Sequence, residues 1–283
     1  MKEKLHSWGV TCRPKTLILS TIPVWVGTTL APVVRWDYFF ATWAMAICIQ
    51  IGTNLYNDAC DYRKGIDTKE RVGPKRGILT GHLSLEEVHL ASLVFFALAL
   101  TFGIFLAALT KWVVGVIAAL SIFSGMAYSA GPKPLSATGA AEAFVVVFFG
   151  VVATATTTFI QSPHWSVPAC WAGLQLGLIA ASVLAIDNLR DINEDRRANK
   201  QTLAVRFGER FGRIEITVLM LAPYLLSFFW LGWSALAPVL TLPLAVHVLR
   251  AIWKTPPSPA YDAFLGKAAL LYGLFGVTLL AIL

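Results

Sequence analysis

The stretch NLYNDACDYRKGID, Asn54 to Asp67, follows directly on an apolar run, Tyr38 to Gly52, that reads as membrane helix. In helical register Asn54, Asp58 and Asp61 fall at i, i+4 and i+7, and Asn57 and Asp61 are also four apart, so the helix ends in carboxylates and amides stacked on one side. A second stretch, DNLRDINED, Asp187 to Asp195, ends another apolar run and places Asp187, Asp191 and Asp195 at i, i+4 and i+8. Like charges at that spacing repel. Near hydrocarbon each also carries an insertion cost of about 2.5 kcal/mol or more. Something else must offset that cost.

The rest of the chain sets the scene. Only 14% of its 283 residues are charged, 57% are hydrophobic and the mean hydropathy is +0.66. These values describe a polytopic, all-α membrane protein. Apolar stretches of about 20 residues, the length that crosses about 30 Å of hydrocarbon, give nine candidate spans. They are Thr16–Val34, Tyr38–Asn57, Val88–Leu109, Val113–Ser129, Gly139–Ile160, Pro168–Leu189, Ile214–Trp230, Ala235–Ile252 and Leu265–Leu283. No linker divides the chain, so residues 1–283 read as one transmembrane domain. Met1 to Pro14 is basic and polar, without the pattern of a signal peptide.

With the N-terminus in the cytoplasm, the inner segments hold nearly all the lysine and arginine, and the outer loops only Arg35 and Lys111. Such asymmetry orients the chain with both acidic stretches on the cytoplasmic side, and the expected location is a bacterial inner membrane. Trp36, Trp112, Trp165, Trp171 and Trp233 fall near the opposite ends, as an interfacial belt. The net charge of +7 is then topology and anionic lipid headgroups, and calls for no nucleic acid. Four scattered cysteines and five scattered histidines form no disulfide framework and no zinc pattern.

Carboxylate and amide oxygens suit Mg2+, which is held through one or two carboxylates and completed by waters and phosphate oxygens. Two facing acidic stacks can hold two or more such ions around a diphosphate, with Asn57, Asp58, Asp61, Asp187, Asp191 and Asp195 as the metal ligands. Asp61 and Asp191 are the central ones. Nearby cations, Arg63, Arg76, Lys133, Lys200 and Arg206, are candidates for the outer phosphate oxygens. Asn54 and Asn188 add amides on the same helix ends. Such a site at the mouth of an apolar bundle fits a lipid with a diphosphate head, and ionisation of an allylic carbon there needs a dry pocket. Tyr128, in YSAGPKPLS, is the candidate for cation–π support. The alternative is that lysines and arginines simply neutralise the acidic helix ends.

At these residues the chain resembles the UbiA superfamily of intramembrane prenyltransferases. NDACD is similar to that family's N-D-x-x-D motif and DNLRDINED to its second, D-x-x-x-D. RVGPKRGILTG, YSAGPKPLSATGAAEAFVVVFFG and NLRDINEDRRANKQTLAVRFG add likeness to the menaquinone-branch members over about Arg13 to Gly212. The resemblance implies nine transmembrane helices around a central cavity open to lipid. It also implies Mg2+-dependent transfer of a polyprenyl group from its diphosphate to 1,4-dihydroxy-2-naphthoate with loss of the carboxyl group; 4-hydroxybenzoate and homogentisate are alternative acceptors. Carried over, Asn57, Asp61, Asp191 and Asp195 hold the metals with Asp58 assisting, and Arg13 and Lys200 approach the diphosphate. Three positions depart from the family's pattern. Gly65 stands where many relatives have another aspartate, so Asp67 is the candidate replacement. Asp187 replaces an asparagine, and Asn199 a glycine. An ion-coupled transporter also buries carboxylates in a helical bundle, but its site lies nearer the midplane. The D-G-x-x-A-R motif of the CDP-alcohol phosphotransferases is missing.

Overall fold

The computed structural model describes residues 2–66, 76–131 and 134–283. Asp67 and Lys133 lie outside the described residues. Helices α1 (Lys2–Thr11), α2 (Ile18–Thr29), α3 (Trp36–Arg63), α4 (Leu85–Leu109) and α5 (Trp112–Ser129) form the first half. Then come α6 (Ala141–Val145), a π-helical turn (Val146–Val152) and α7 (Ala153–Gln161), which together make one span, and α8 (Val167–Arg190). Short helices α9 (Ile192–Arg197) and α10 (Leu203–Phe207) lead to α11 (Glu209–Trp230), α12 (Leu236–Val239), α13 (Leu242–Lys254) and α14 (Tyr261–Ile282). No strand occurs among the described residues, as an apolar solvent that cannot satisfy open backbone groups demands.

The nine expected spans are not nine straight helices. Among the described residues seven helices are long and apolar enough to cross a membrane, and the segment Gly232–Val239 with Leu242–Lys254, bent by 50°, makes an eighth if counted as one span. The run expected over Thr16–Val34 is only the 12-residue α2. At about 1.5 Å per residue it falls well short of the hydrocarbon thickness.

Close backbone approach fixes where the second acidic helix lies. Gly173 and Gly177 of α8 form a small-xxx-small pair. A Cβ on Gly150 of the π turn would sit 2.2 Å from the Gly173 carbonyl oxygen and 2.6 Å from the Gly177 Cα. With no hydrophobic drive between helices in lipid, such contact is what packs them. It lays α6 and the π turn along α8. On the other side, α4 starts with a capping box: Glu87 N–H donates to Ser84 Oγ (3.1 Å) and Ser84 N–H to Glu87 Oε2 (2.9 Å). Leu83 and Val88 pack in the same cluster as Leu55 and Ala59 of α3, the staple that fixes the chain's entry to the helix. Thus each acidic helix end is braced by a neighbour.

Candidate active site at the two acidic helix ends

Helix α3 ends in a Schellman motif. Ile66 N–H donates to the Asp61 carbonyl (3.0 Å) and Gly65 N–H to that of Tyr62 (3.1 Å), with Gly65 left-handed at φ 66°. The position where the family pattern leads one to expect another aspartate is the helix-closing residue here, and glycine suits it because it has no Cβ. Helix α9 ends the same way. Lys200 N–H donates to the Asp195 carbonyl (2.9 Å) and Asn199 N–H to that of Arg196 (3.3 Å), with Asn199 at φ 55°. Asparagine is among the few non-glycine residues that take this conformation readily, so its replacement of glycine preserves the turn.

At the first end, Asn57, Asp58 and Asp61 are all buried. Asn57 Nδ2 donates to Asp61 Oδ2 (3.2 Å) and to Ser129 Oγ (3.0 Å) at the end of α5. Its Oδ1 accepts from Arg13 (3.1 Å) and from Arg76 (3.1 Å). Both guanidiniums also pair with Asp58, whose other oxygen, Oδ2, is buried with no hydrogen-bond partner among the described residues. Arg13 sits in the left-handed region (φ 52°) where the chain turns from α1 into α2, a conformation costing about 1–2 kcal/mol for a residue with a Cβ. Its carbonyl is held by Thr16 and its side chain by α3. Asn54 also ties this turn to α3, donating to the Cys12 carbonyl and Thr16 Oγ1, each at 3.3 Å. Burial, then the neighbouring Arg13, weakens Arg76's hold on its proton, while Asp187 and Asp191 oppose this. That reach joins Arg76 to the second acidic end.

At the second end, α8 finishes at Arg190, the cation that a helix C-terminus favours. Its Nε donates to Asp191 Oδ1 (2.6 Å) and Nη2 to Asp191 Oδ2 (2.7 Å). Nη2 also pairs with Asp187 Oδ1 (2.7 Å), and Nη1 donates to Asp262 Oδ1 (2.6 Å) at the start of α14. Asp195 pairs with Lys200 (3.1 Å), yet burial pushes its carboxyl up to about 6, with Lys200 acting against the shift.

A cavity of about 1260 Å³ joins the two ends. Asn54, Asp58, Arg13 and Arg76 line it from the first, and Asp187, Arg190 and Asp262 from the second. Its deeper wall is apolar and aromatic, with Met45, Ile49, Ile117, Phe144, Phe148 and Leu184, and Tyr128 stands where the two parts meet. Tyr128 and Phe144 lie 5.9 Å apart, and Phe144 stacks on Phe148 at 4.5 Å.

Several sequence expectations need correction. Among the described residues no three His, Cys, Asp or Glu side chains are gathered into a ready metal cage, and Asp58, Asp187 and Asp191 are paired with arginines. Asn57, Asp61, Asp191, Asp195 and Lys200 stand behind the cavity lining rather than in it, and Arg63 and Arg206, also outside it, are in addition exposed. Arg63 turns to the Tyr56 and Cys60 side of α3, and Arg206 stands on the outer turn of α10. Asn188 turns from the diphosphate end to donate to Glu142 Oε1 (2.7 Å). Sequence reasoning missed Ser129, Glu142 and Asp262. Asp262 carried no signal, since a lone acid in a first helical turn is ordinary.

The UbiA prenyltransferase family model matches residues 20–275. A Haemophilus influenzae protein named 1,4-dihydroxy-2-naphthoate octaprenyltransferase is 31% identical over 278 residues, covering 91% of this chain and 89% of its own. The Escherichia coli protein of the same name is 33% identical, covering 97% and 95%. A solved UbiA homolog from Archaeoglobus fulgidus, bound to DMAPP and Mg2+, superposes with a TM-score of 0.67 at 16% identity, covering 98% of this chain and all of that one, and so shares its fold. With the fold, the two acidic helix ends and the sequence match in agreement, the chain belongs to the UbiA prenyltransferase family.

Proposed function

We propose that this enzyme transfers a polyprenyl group from polyprenyl diphosphate to 1,4-dihydroxy-2-naphthoate, with loss of CO2 and release of diphosphate to give the reduced, quinol form of demethylmenaquinone, on the cytoplasmic side of a bacterial inner membrane. The observation that carries the reading is that Asp58 from one acidic end and Asp187 from the other line a single cavity whose depth is apolar. The names of the bacterial relatives support the naphthoate acceptor, and the Archaeoglobus homolog supports Mg2+ and a prenyl diphosphate.

The donor set fits magnesium: hard carboxylate and amide oxygens, with one buried carboxylate oxygen of Asp58 unpartnered. Asn57, Asp58, Asp61, Asp187, Asp191 and Asp195 are the residues that would hold it. When bound, such ions neutralise the charge that gathers on a departing diphosphate. Arg13 and Arg76, already at the cavity head, bind the outer phosphate oxygens and orient the head. The allylic C–O bond breaks with its electron pair going to the diphosphate. Tyr128 and Phe144 present aromatic faces to the positive carbon chain, and the apolar wall excludes water that would capture it. The electron-rich naphthoate carbon bearing the carboxyl attacks, and loss of CO2 restores the ring.

Membranes holding the enzyme, given mixed polyprenyl diphosphates and the three candidate acceptors, test this by product mass spectrometry with and without Mg2+. The expected product gains one prenyl group, loses CO2, derives from naphthoate and requires the metal. A 4-hydroxybenzoate product retaining its carboxyl would reassign the acceptor; no prenylated product at all would overturn the reading.

A further inference from the structure

The two acidic ends are neutralised unequally, and the second has an arrangement that the reaction does not by itself require. The Arg190 side chain is 2% exposed and touches three carboxylates, those of Asp187, Asp191 and Asp262, with both oxygens of Asp191 occupied. One guanidinium thus serves three anions contributed by two different helices and the turn after one of them. All three partners are within 2.7 Å, and Asp187, Arg190 and Asp262 border the cavity. A divalent cation at Asp191 must compete with a guanidinium that already holds both of its oxygens.

We propose that Arg190 is a displaceable internal counter-ion. In the metal-free enzyme it holds the second acidic end together. On cation binding it releases Asp187 and Asp191, stays on Asp262, and presents its freed N–H groups to the diphosphate. Charge supports the exchange. Without metal, three carboxylates share one guanidinium in direct contact, with Arg76 acting on Asp187 and Asp191 only from the other end, which leaves an excess of negative charge around Arg190 in a site of reduced dielectric. After exchange, Asp187 and Asp191 balance a divalent ion, and Asp262 balances Arg190. The first end differs: there two arginines share Asp58, so no comparable excess exists. Asp262 is suited to be the pivot. Its side chain is 44% exposed at the cavity mouth and it belongs to α14, so it can keep Arg190 while α8 takes up metal. Arg190 is a positioning residue for the metal ligands before the exchange and a diphosphate ligand after it.

This inference rests on the proposed metal role of Asp187 and Asp191, and the test separates the two. The full chain, purified in lipid nanodiscs without any diphosphate, is titrated with Mn2+ and the free ion is read by electron paramagnetic resonance. Arg190→Gln removes the competing charge and is expected to bind Mn2+ about tenfold tighter or more, while its KM for prenyl diphosphate rises more than its kcat falls. Asp262→Asn removes the pivot, leaves Arg190 wholly to Asp191 and Asp187, and is expected to weaken Mn2+ binding. A folded Arg190→Gln enzyme with unchanged or weaker Mn2+ affinity overturns the inference and leaves the metal reading standing. Wild-type enzyme that takes up no Mn2+ at all, with or without diphosphate, overturns both. If Arg190→Gln does not fold, Arg190→Lys replaces it. A single ammonium cannot cover both Asp191 oxygens, so tighter Mn2+ binding is again expected and unchanged binding again overturns the inference.

Discussion

The ends of α3 and α9 close with the same pair of backbone hydrogen bonds, and each carries its aspartate, Asp61 or Asp195, at the same position of that motif. Around this common backbone the electrostatics diverge. At the first end, cations arrive from remote parts of the chain: Arg13 from before α2 and Arg76 from the long loop both close on Asp58, which is 1% exposed. At the second, the cation is local: Arg190 belongs to the helix it serves and is outnumbered by carboxylates. One end is therefore a junction that ties distant segments together. The other is an anion-rich pocket whose contents can exchange. Acidic motifs that look interchangeable in sequence are built for different loads.

The largest effect expected is on chemistry, and it should be shared by both ends. Asp61→Asn and Asp191→Asn are each expected to reduce Mg2+-dependent prenyl transfer by about 10³-fold or more in protein that still folds. Full activity in either variant would remove that end from the metal site. Stability should then separate the two ends. Asp58→Ala strands two guanidiniums, one of them on the largely buried Arg76 side chain, and breaking a buried pair this way costs about 3–5 kcal/mol. Asp187→Ala removes a carboxylate that is 42% exposed, and is expected to cost under about 1 kcal/mol. Thermal unfolding in detergent measures both. Equal losses would erase the distinction between junction and pocket.

A pH series sharpens the comparison further. Asp195, pushed up to about 6 by burial against an ordinary value of 3.8, is less willing to ionise when folded than when unfolded. Its contribution to stability is thus fully present below about 3.8 and is lost as pH rises through about 6. Metal binding runs the opposite way, because the ligand is the carboxylate. Apparent Mg2+ affinity should therefore weaken as pH falls through about 6. In metal-free enzyme Asp195→Asn should raise the unfolding temperature at pH 7.5 and leave it unchanged at pH 3.5. A gain of the same size at both values would show that the Asp195 charge is not what costs stability.

How far sequence carried this reading differs between fold and site. The membrane class, the span positions and both acidic helix ends are written in hydropathy and in i, i+4 spacing, which are local properties. The 50° bend between α12 and α13 and the shortness of α2 are not local. They depend on how neighbouring helices pack, and hydropathy alone counts both segments as full spans. Likewise charge type pointed to Arg76 as readily as to Arg63 and Arg206, and only the family resemblance to Arg13, while tertiary structure shows that Arg63 and Arg206 face away. Asn188 was picked for its neighbours in sequence, yet its amide is claimed by Glu142 from another helix. Asp262 is some seventy residues from the motif it joins, |i−j| = 72, and no pattern could have linked them.

The smallest expected effect tests whether the two ends share their backbone. Gly65 and Asn199 occupy the same left-handed place, at φ 66° and 55°. No described residue lies within 4 Å of where a Cβ on Gly65 would be, so against the described residues a side chain there meets only the conformational penalty. Gly65→Asn should therefore cost only a few tenths of a kcal/mol and Gly65→Ala about 1 kcal/mol, because asparagine tolerates the left-handed region and alanine does not. Asn199→Gly should change stability by no more than a few tenths, and Asn199→Ala should lose about 1 kcal/mol, as at Gly65. Gly65→Asp introduces the carboxylate that the family pattern implies at this position, with no described residue within 4 Å to clash. If that variant binds Mn2+ more tightly, the residue closing the α3 cap is close enough to the site to serve as a ligand, and the two caps differ in chemistry while agreeing in geometry.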